Sequence, residues 1–423
     1  MAAPMRLAAP VISAVGALDF GESLADTETM NSRTPDAILP EAPEKLKQLS
    51  ERLSGRLRST IEADGPMPFS EYMERVLYEP GLGYYSAGLH KLGQGGDFVT
   101  APELGPVFAR CLARQIEQLA PAMGAFDILE IGAGTGRLAA DLLQALDVPA
   151  RPARYRILER SADLRRVQEE ALAEAVADME VRIEWLDAPP AEDWTGVLLA
   201  NEVLDALPVE RFRLGSAGID QLCVANGATG FEWTARPAPD ALELAVRTSL
   251  GEGLQALAPG YQSEICLLLE PWLKEVSRSL LRGLALFVDY GYPRGAYYAP
   301  ERRAGTLVCH YRHRGHDDPF FWPGLQDISA FVDFTALAEA GNVAGLDCLG
   351  YASQTMFLMG CGLEDILSAG MQLPQRQRLA FAAQVRELTL PSAMGEKFQA
   401  MALGRHLDLE LRGFQLQDLR HQL

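Results

Sequence analysis

The chain has 423 residues, enough for one large elaborated domain or two ordinary ones. Apolar residues make up 48%, which supports a sizeable core, and 57 acidic against 38 basic residues leave a net charge of −19. That balance excludes a general binder of nucleic-acid backbones, which needs many uncompensated cations, and suits a cationic partner.

Residues 1–45 are rich in Ala, Pro, Ser, Thr and Asp. They lack the arginines of a mitochondrial presequence and the apolar centre of a signal peptide, so the reading is a disordered lead-in to a cytoplasmic protein. Six cysteines without a CxxC pair fit reduced thiols. No run is long and uncharged enough to span a bilayer. Residues 46–125 read as a helical cap interrupted by a Gly-rich loop, "GQGGDFVTAPELGPVF". From 126 the texture changes to short apolar runs alternating with helical spacing: "FDILEIG", "RYRILER", "VRIEWLD", "GVLLANE" and, much later, "LALFVDYG". Continuous apolar strands with helical crossovers predict a mostly parallel sheet covered on both faces. This core is assigned to 126–208 and 264–363. Between its halves, 209–263 looks like antiparallel strands around Asn226-Gly227, a β-rich insertion. Residues 364–423 read as a helical tail.

"ILEIGAGTGRL" places Gly132, Gly134 and Gly136 between a strand and a helix. Glycines permit a tight turn and close backbone approach, and the helix start offers free N–H groups. The dinucleotide form needs G-x-G-x-x-G, but the spacing here is G-x-G-x-G. Glu130 disfavours a pyrophosphate and suits an ammonium. The pattern resembles the class I S-adenosylmethionine (SAM) methyltransferase turn. The following strand tips carry Glu159, placed for ribose hydroxyls, Asp187, placed for an adenine amino group, and Asn201-Glu202. Any one of these acids alone also fits a helix cap or a solvated tip; four consecutive tips make a binding edge.

"GDFVTAPELGPVF", "LEIGAGTG", "ANEVLDALPVERF", "FVDYG" and "GTLVCHYRHRGHDDPFFWPGLQDISAFVDF" together resemble the MidA-like methyltransferases over roughly 66–410. The resemblance implies a class I, Rossmann-like α/β fold with a seven-strand sheet, and SAM as cofactor. It also implies symmetric methylation of arginine on a protein substrate, which in eukaryotic members is a core subunit of respiratory complex I. Two departures stand out. Ala133 and Thr135 replace the Pro and Arg common in that family's turn, and Phe331 stands where His is common, so no catalytic histidine carries over.

Methyl transfer to a guanidinium nitrogen is an in-line displacement that needs alignment and carboxylates to grip the planar fork. Glu202 is assigned to orient the acceptor, with Asn201 beside it and Asp205 assisting or merely capping the turn before Pro208. Asp97 and Thr100 are expected to close over the cofactor. Glu103, Asp289, His310 and Tyr311 are expected to face substrate, the last two from a lid loop. "CHYRHRGHDD" lacks zinc-site spacing, so no metal is assigned. Three other readings stay open: a SAM enzyme acting on a small molecule, a non-catalytic assembly factor retaining the fold, and an NAD-dependent oxidoreductase, which the glycine spacing and Glu130 disfavour.

Overall fold

The computed structural model describes residues 39–87 and 100–423. Asp97 and the expected N-terminal lead-in up to residue 38 lie outside them. Seven strands build the central sheet: β1 (Asp127–Ile131), β2 (Arg154–Leu158), β3 (Arg182–Leu186), β4 (Trp194–Asn201), β5 (Leu280–Tyr292), β6 (Asp347–Ser353) and β7 (Phe398–Arg405). Their order is β6-β7-β5-β4-β1-β2-β3, and Val332–Asp333 pairs along the end of β5. All seven run parallel except β7, which is antiparallel to both neighbours.

The sheet is buried on both faces because its strands alternate between two cores. Ile128, Val197, Leu199, Leu284 and Leu286 pack on one side with the helices Val107–Met123 and Arg137–Ala145. Leu129, Ile131, Leu198, Ala200, Ala285 and Phe287 pack on the other with Leu269–Ser277 and Phe334–Val343.

Register aligns the strand ends. Ile131 pairs with Leu158 and with Ala200, Leu158 with Leu186, and Ala200 with Phe287. One residue beyond that row stand Gly132, Glu159, Asp187 and Asn201. The chain leaves β1 toward β2 and later returns to lay β4 on its other side, so the row lies at a topological switch point.

The segment 364–423 is not helical throughout: after the helix Gln375–Thr389 it supplies β7, inserted between β5 and β6. "FQAMALGR" is rich in helix formers, but two antiparallel partners and near-complete burial override propensity. Within 209–263 the strands Glu210–Leu214, Ile219–Asn226, Phe231–Pro237 and Gln262–Ile265 form a separate sheet, which Met67–Pro68 of the cap joins. Among the described residues no helix is long and apolar enough to cross a membrane.

Candidate active site

The turn after β1 holds Gly132, Gly134 and Gly136 at φ +69°, +54° and +81°. Side chains with a Cβ avoid this region, so the sequence can turn this tightly only because it has glycine there. Gly136 leads into Arg137–Ala145, leaving the first N–H groups of that helix directed at the turn. Gln168 braces it: its Nε2 donates to the Gly134 carbonyl at 3.0 Å and to Glu159 Oε2 at 3.4 Å, and its Oε1 accepts from Trp185 Nε1 at 2.9 Å. Thr100, Glu103, Glu130, Gly132, Gly134 and Asn201 line one cleft around the turn.

Glu130 accepts a 2.7 Å hydrogen bond from the Tyr155 hydroxyl. Burial pushes its carboxyl up to about 7, against the pull of that bond. Glu159 is buried at the β2 tip, where it accepts from Ser161 N at 2.7 Å, and burial raises it too. Asp187 reaches the same level, but its side chain is 84% exposed and paired with Arg165 at 2.6 Å, on the rim. Thr100 precedes the short helix Ala101–Leu104, which borders the turn. Glu103 of that helix accepts from the Thr135 hydroxyl. Expected to face substrate, Glu103 instead borders the glycine cleft.

A second group lies beyond the β4 tip. Glu202 has φ +53°, a conformation uncommon outside glycine that puts its carboxylate inside the protein. Its Oε1 accepts from Asn201 Nδ2 at 3.1 Å and from Ala101 N of the cap at 3.5 Å. Its Oε2 is buried without a hydrogen-bond partner, as is Asn201 Oδ1. Burial first, and then the charge of Asp289, hold Glu202 well above the ordinary carboxylate range. Asp205 follows in the turn Leu204–Ala206, raised by burial and by Asp289 and Asp327, with the Tyr290 hydroxyl acting in the opposite sense. Asp289, expected to contact substrate, is placed against the loop that follows β4. It accepts from Val203 N (3.0 Å), Leu204 N (2.9 Å) and Tyr290 N (2.9 Å) and so fixes the loop carrying Glu202 and Asp205. Burial nonetheless lifts it to about 7, against those N–H groups.

The residues meet what a SAM ligand requires: a glycine cradle at a helix start, buried acids at the first two strand tips, and an Asn201 that lines the cleft and keeps an unpartnered oxygen. The model of the family described as "Putative S-adenosyl-L-methionine-dependent methyltransferase" matches residues 108–352. The chain belongs to this family. A solved Burkholderia thailandensis protein with S-adenosyl-homocysteine bound is 41% identical, with a TM-score of 0.85, over 91% of this chain and all of that one. Curated relatives named protein arginine methyltransferase NDUFAF7, mitochondrial, include the Drosophila melanogaster homolog and the human protein. The first is 28% identical over 88% of this chain and 91% of its own length; the second is 26% identical over 83% and 82%. The methyltransferase takes S-adenosyl-L-methionine as its cofactor, and Gly132, Gly134, Gly136, Glu130 and Glu159 are the residues that would hold it. The mitochondrial names of these relatives overturn the expectation of a cytoplasmic chain.

The 309–318 stretch forms a hairpin, Val308–Tyr311 against Arg314–His316, and the first strand also pairs with Asp327–Ser329. Alternation separates the two residues expected to face substrate. His310 lies in register with Asp327 and is buried; burial and then the nearby His316 push it down to about 4, so it is neutral at pH 7. Tyr311 points the other way, into a small cluster with Ala42 and Leu325. Phe331, where histidine is common, packs edge-on to Tyr290 at 4.9 Å. Among the described residues no group of three or more His, Cys, Asp or Glu is placed to hold a metal. Sequence reasoning missed Gln168, Tyr85 and Asp327. Tyr85 donates to Asp327 Oδ1 at 2.6 Å, and Ser329 to its Oδ2 at 2.7 Å.

The raised carboxyls set a direction for stability. Glu130 holds its proton up to about 7 in the folded chain but only to 4.5, its ordinary value, when unfolded. The folded state therefore binds more protons between those values, and stability falls as pH rises through that window. Asp289, also near 7, adds in the same sense. Thermal unfolding of the ligand-free chain should drop by a few degrees between pH 5.5 and 8. Glu130→Gln should flatten part of that slope. A midpoint that rises over the same range would contradict this ionisation scheme.

Proposed function

We propose that the chain transfers methyl groups from SAM to arginine side chains of a protein. The observation that carries this reading is the buried, unpartnered Oε2 of Glu202, set among acids and one residue from an Asn201 that lines the cofactor cleft. A guanidinium stays charged at any working pH and presents a planar fork of N–H donors, which a carboxylate can satisfy two at a time. The names of the curated relatives support the same acceptor.

In this reading Glu202 grips the guanidinium and turns one nitrogen toward the cofactor cleft. The cofactor supplies a methyl group activated by a neighbouring sulfonium. Asn201 spaces the two halves of the site, and Asp205 helps receive the proton that the alkylated nitrogen loses. Asp289 holds the loop, and Ala101 of the cap shields Glu202 from water. Asp187 on the rim remains assigned to the adenine end. The resemblance to the MidA-like enzymes extends the proposal to symmetric dimethylation of a complex I-type subunit.

The test is quantitative mass spectrometry of methylarginine in cells lacking the gene, with the purified chain and SAM added back. The expected result is a small set of arginine sites that lose dimethylation and regain it, with symmetric fragmentation. An unchanged arginine methylome would sink the proposal and favour a small-molecule acceptor.

A further inference from the structure

A second cavity, of about 40 Å³, lies against the turn that follows Glu202. Its apolar walls include Leu204 of that turn, Val209 and Ile265 at the two ends of the insertion, Phe331, and Leu269 and Ala336 of two core helices. The polar groups on the same walls are held by the chain itself. Glu264 accepts from Arg211 Nε at 3.0 Å and from Thr306 N at 2.7 Å. Asp333 accepts from Arg294 Nε and from Ala336 N, both at 3.1 Å. Tyr298 donates to the Glu264 carbonyl at 3.1 Å, and Cys266 Sγ to the Pro208 carbonyl at 3.7 Å. Both carboxylates already face arginines, so the cavity does not suit a further cation, and most of its lining is carbon. Ile265, Cys266, Phe331 and Ala336 are half-buried, which leaves the cavity open to solvent, and the exposed Leu267 stands next to Cys266 in the chain.

The cavity and the acceptor carboxylate share one fixed turn. Leu204 follows Glu202 by two residues, which keeps their Cα atoms within about 7 Å. Leu204 N is bound by Asp289 at 2.9 Å, and Ala330, also on the cavity wall, donates from its N to the Asp205 carbonyl at 3.0 Å. An extended peptide advances about 3.3 Å per residue, so a side chain one or two positions from an arginine held at Glu202 covers that separation. One water takes up about 10–15 Å³, so the space suits roughly three such volumes, the bulk of an isopropyl group. We propose that this cavity receives an aliphatic side chain of about valine size, one or two residues from the acceptor arginine, and so selects which arginines are methylated. The inference rests on the arginine reading and deepens it, by naming the sequence that the acceptor carries beside its guanidinium. It also gives the β insertion a task, since Val209, Glu264 and Ile265 build one side of the cavity.

The experiment uses the full chain, SAM and a set of acetylated, amidated glycine peptides with a central arginine. One valine is placed in turn at each of the two positions on either side. Valine at one of them should raise kcat/KM about tenfold over the all-glycine peptide, through a lower KM with kcat unchanged. Tryptophan at that position should forfeit the gain. Ala336→Leu puts an isobutyl group into the cavity from a helix that tolerates leucine well, and should bring the valine preference within about twofold of none. Ile265→Ala enlarges the cavity, so leucine should overtake valine at the same position about fivefold. S-adenosyl-homocysteine affinity, unchanged in both variants, is the control for folding, and a folding defect cannot move the preference in two opposite directions. Peptides methylated equally whatever flanks the arginine would overturn the inference and leave the arginine reading standing. So would a valine preference that survives in both variants. A set in which no peptide is methylated would also overturn the inference, and the methylarginine measurement above then decides the arginine reading by itself.

Discussion

Glu202→Gln is expected to cut kcat by about 10³-fold while S-adenosyl-homocysteine affinity stays within about threefold. Glutamine matches glutamate in size, and its carbonyl oxygen can still accept from Asn201 Nδ2 and Ala101 N. The cap contact and the cofactor cleft should therefore survive. What is lost is the charge at a position with 0% exposure, and the open acceptor at Oε2 becomes a donor facing the donors of a guanidinium. A buried N–H pair opposed to another N–H pair repels, and leaves both unsatisfied. Stability should move in the opposite sense from activity. Glu202 sits well above its ordinary range, so its ionised form weakens the fold once pH passes that range, and a neutral amide removes the penalty. At pH 8 the variant should unfold at the same temperature as the parent chain or higher. Turnover measured with a radiolabelled methyl group, calorimetry and a melting curve decide the matter together. Retained turnover would remove Glu202 from the chemistry, and lost cofactor binding would recast it as a scaffold residue.

The strand tips were legible because burial and polarity change abruptly along the chain. Apolar runs such as "VLLA" end at "NE", and acids at four such ends in a row suit the ligand edge of a covered sheet. Glu130, Glu159 and Glu202 are accordingly buried. Asp187 shares their register, but β3 is the edge strand, so its side chain reaches solvent and Arg165. Asp327 and Tyr85 were not legible. They are 242 residues apart, and nothing local in "LQDIS" or "GYYS" says that the two will meet. Tyr311 was grouped with His310 for a related reason. A cluster of polar and aromatic residues reads as one surface, whereas a strand sends neighbours to opposite faces, so that His310 turns toward Asp327 and Tyr311 away from it. β7 escaped notice because a strand buried between two partners needs no alternation, and Ala, Met and Leu mimic a helix.

At Gly136 a substitution should act on the cofactor rather than on the acceptor. A Cβ built there would lie 3.2 Å from Gln168 Cα and 3.3 Å from its Cγ, and φ of +81° is strained for any residue that carries one. Gly136→Ala meets the strain alone with a small intrusion, and should weaken S-adenosyl-homocysteine about tenfold. Gly136→Val adds a branched side chain, which tolerates this conformation least. It should push Gln168 off both the Gly134 carbonyl and Glu159 Oε2, freeing the turn and the β2 tip in one step. The expected loss is more than about 100-fold in affinity, with unfolding lowered by only a few degrees, because the Gln168 contacts lie at the sheet's edge and the two cores stay packed. The contrast between variants carries the test. If strain in the turn were all that mattered, Ala and Val would differ little; a tenfold or larger gap between them, read by calorimetry on folded protein, identifies Gln168 as the brace between the glycine turn and the ribose-side acid. Equal affinities in all three chains would show that the cofactor does not depend on this turn.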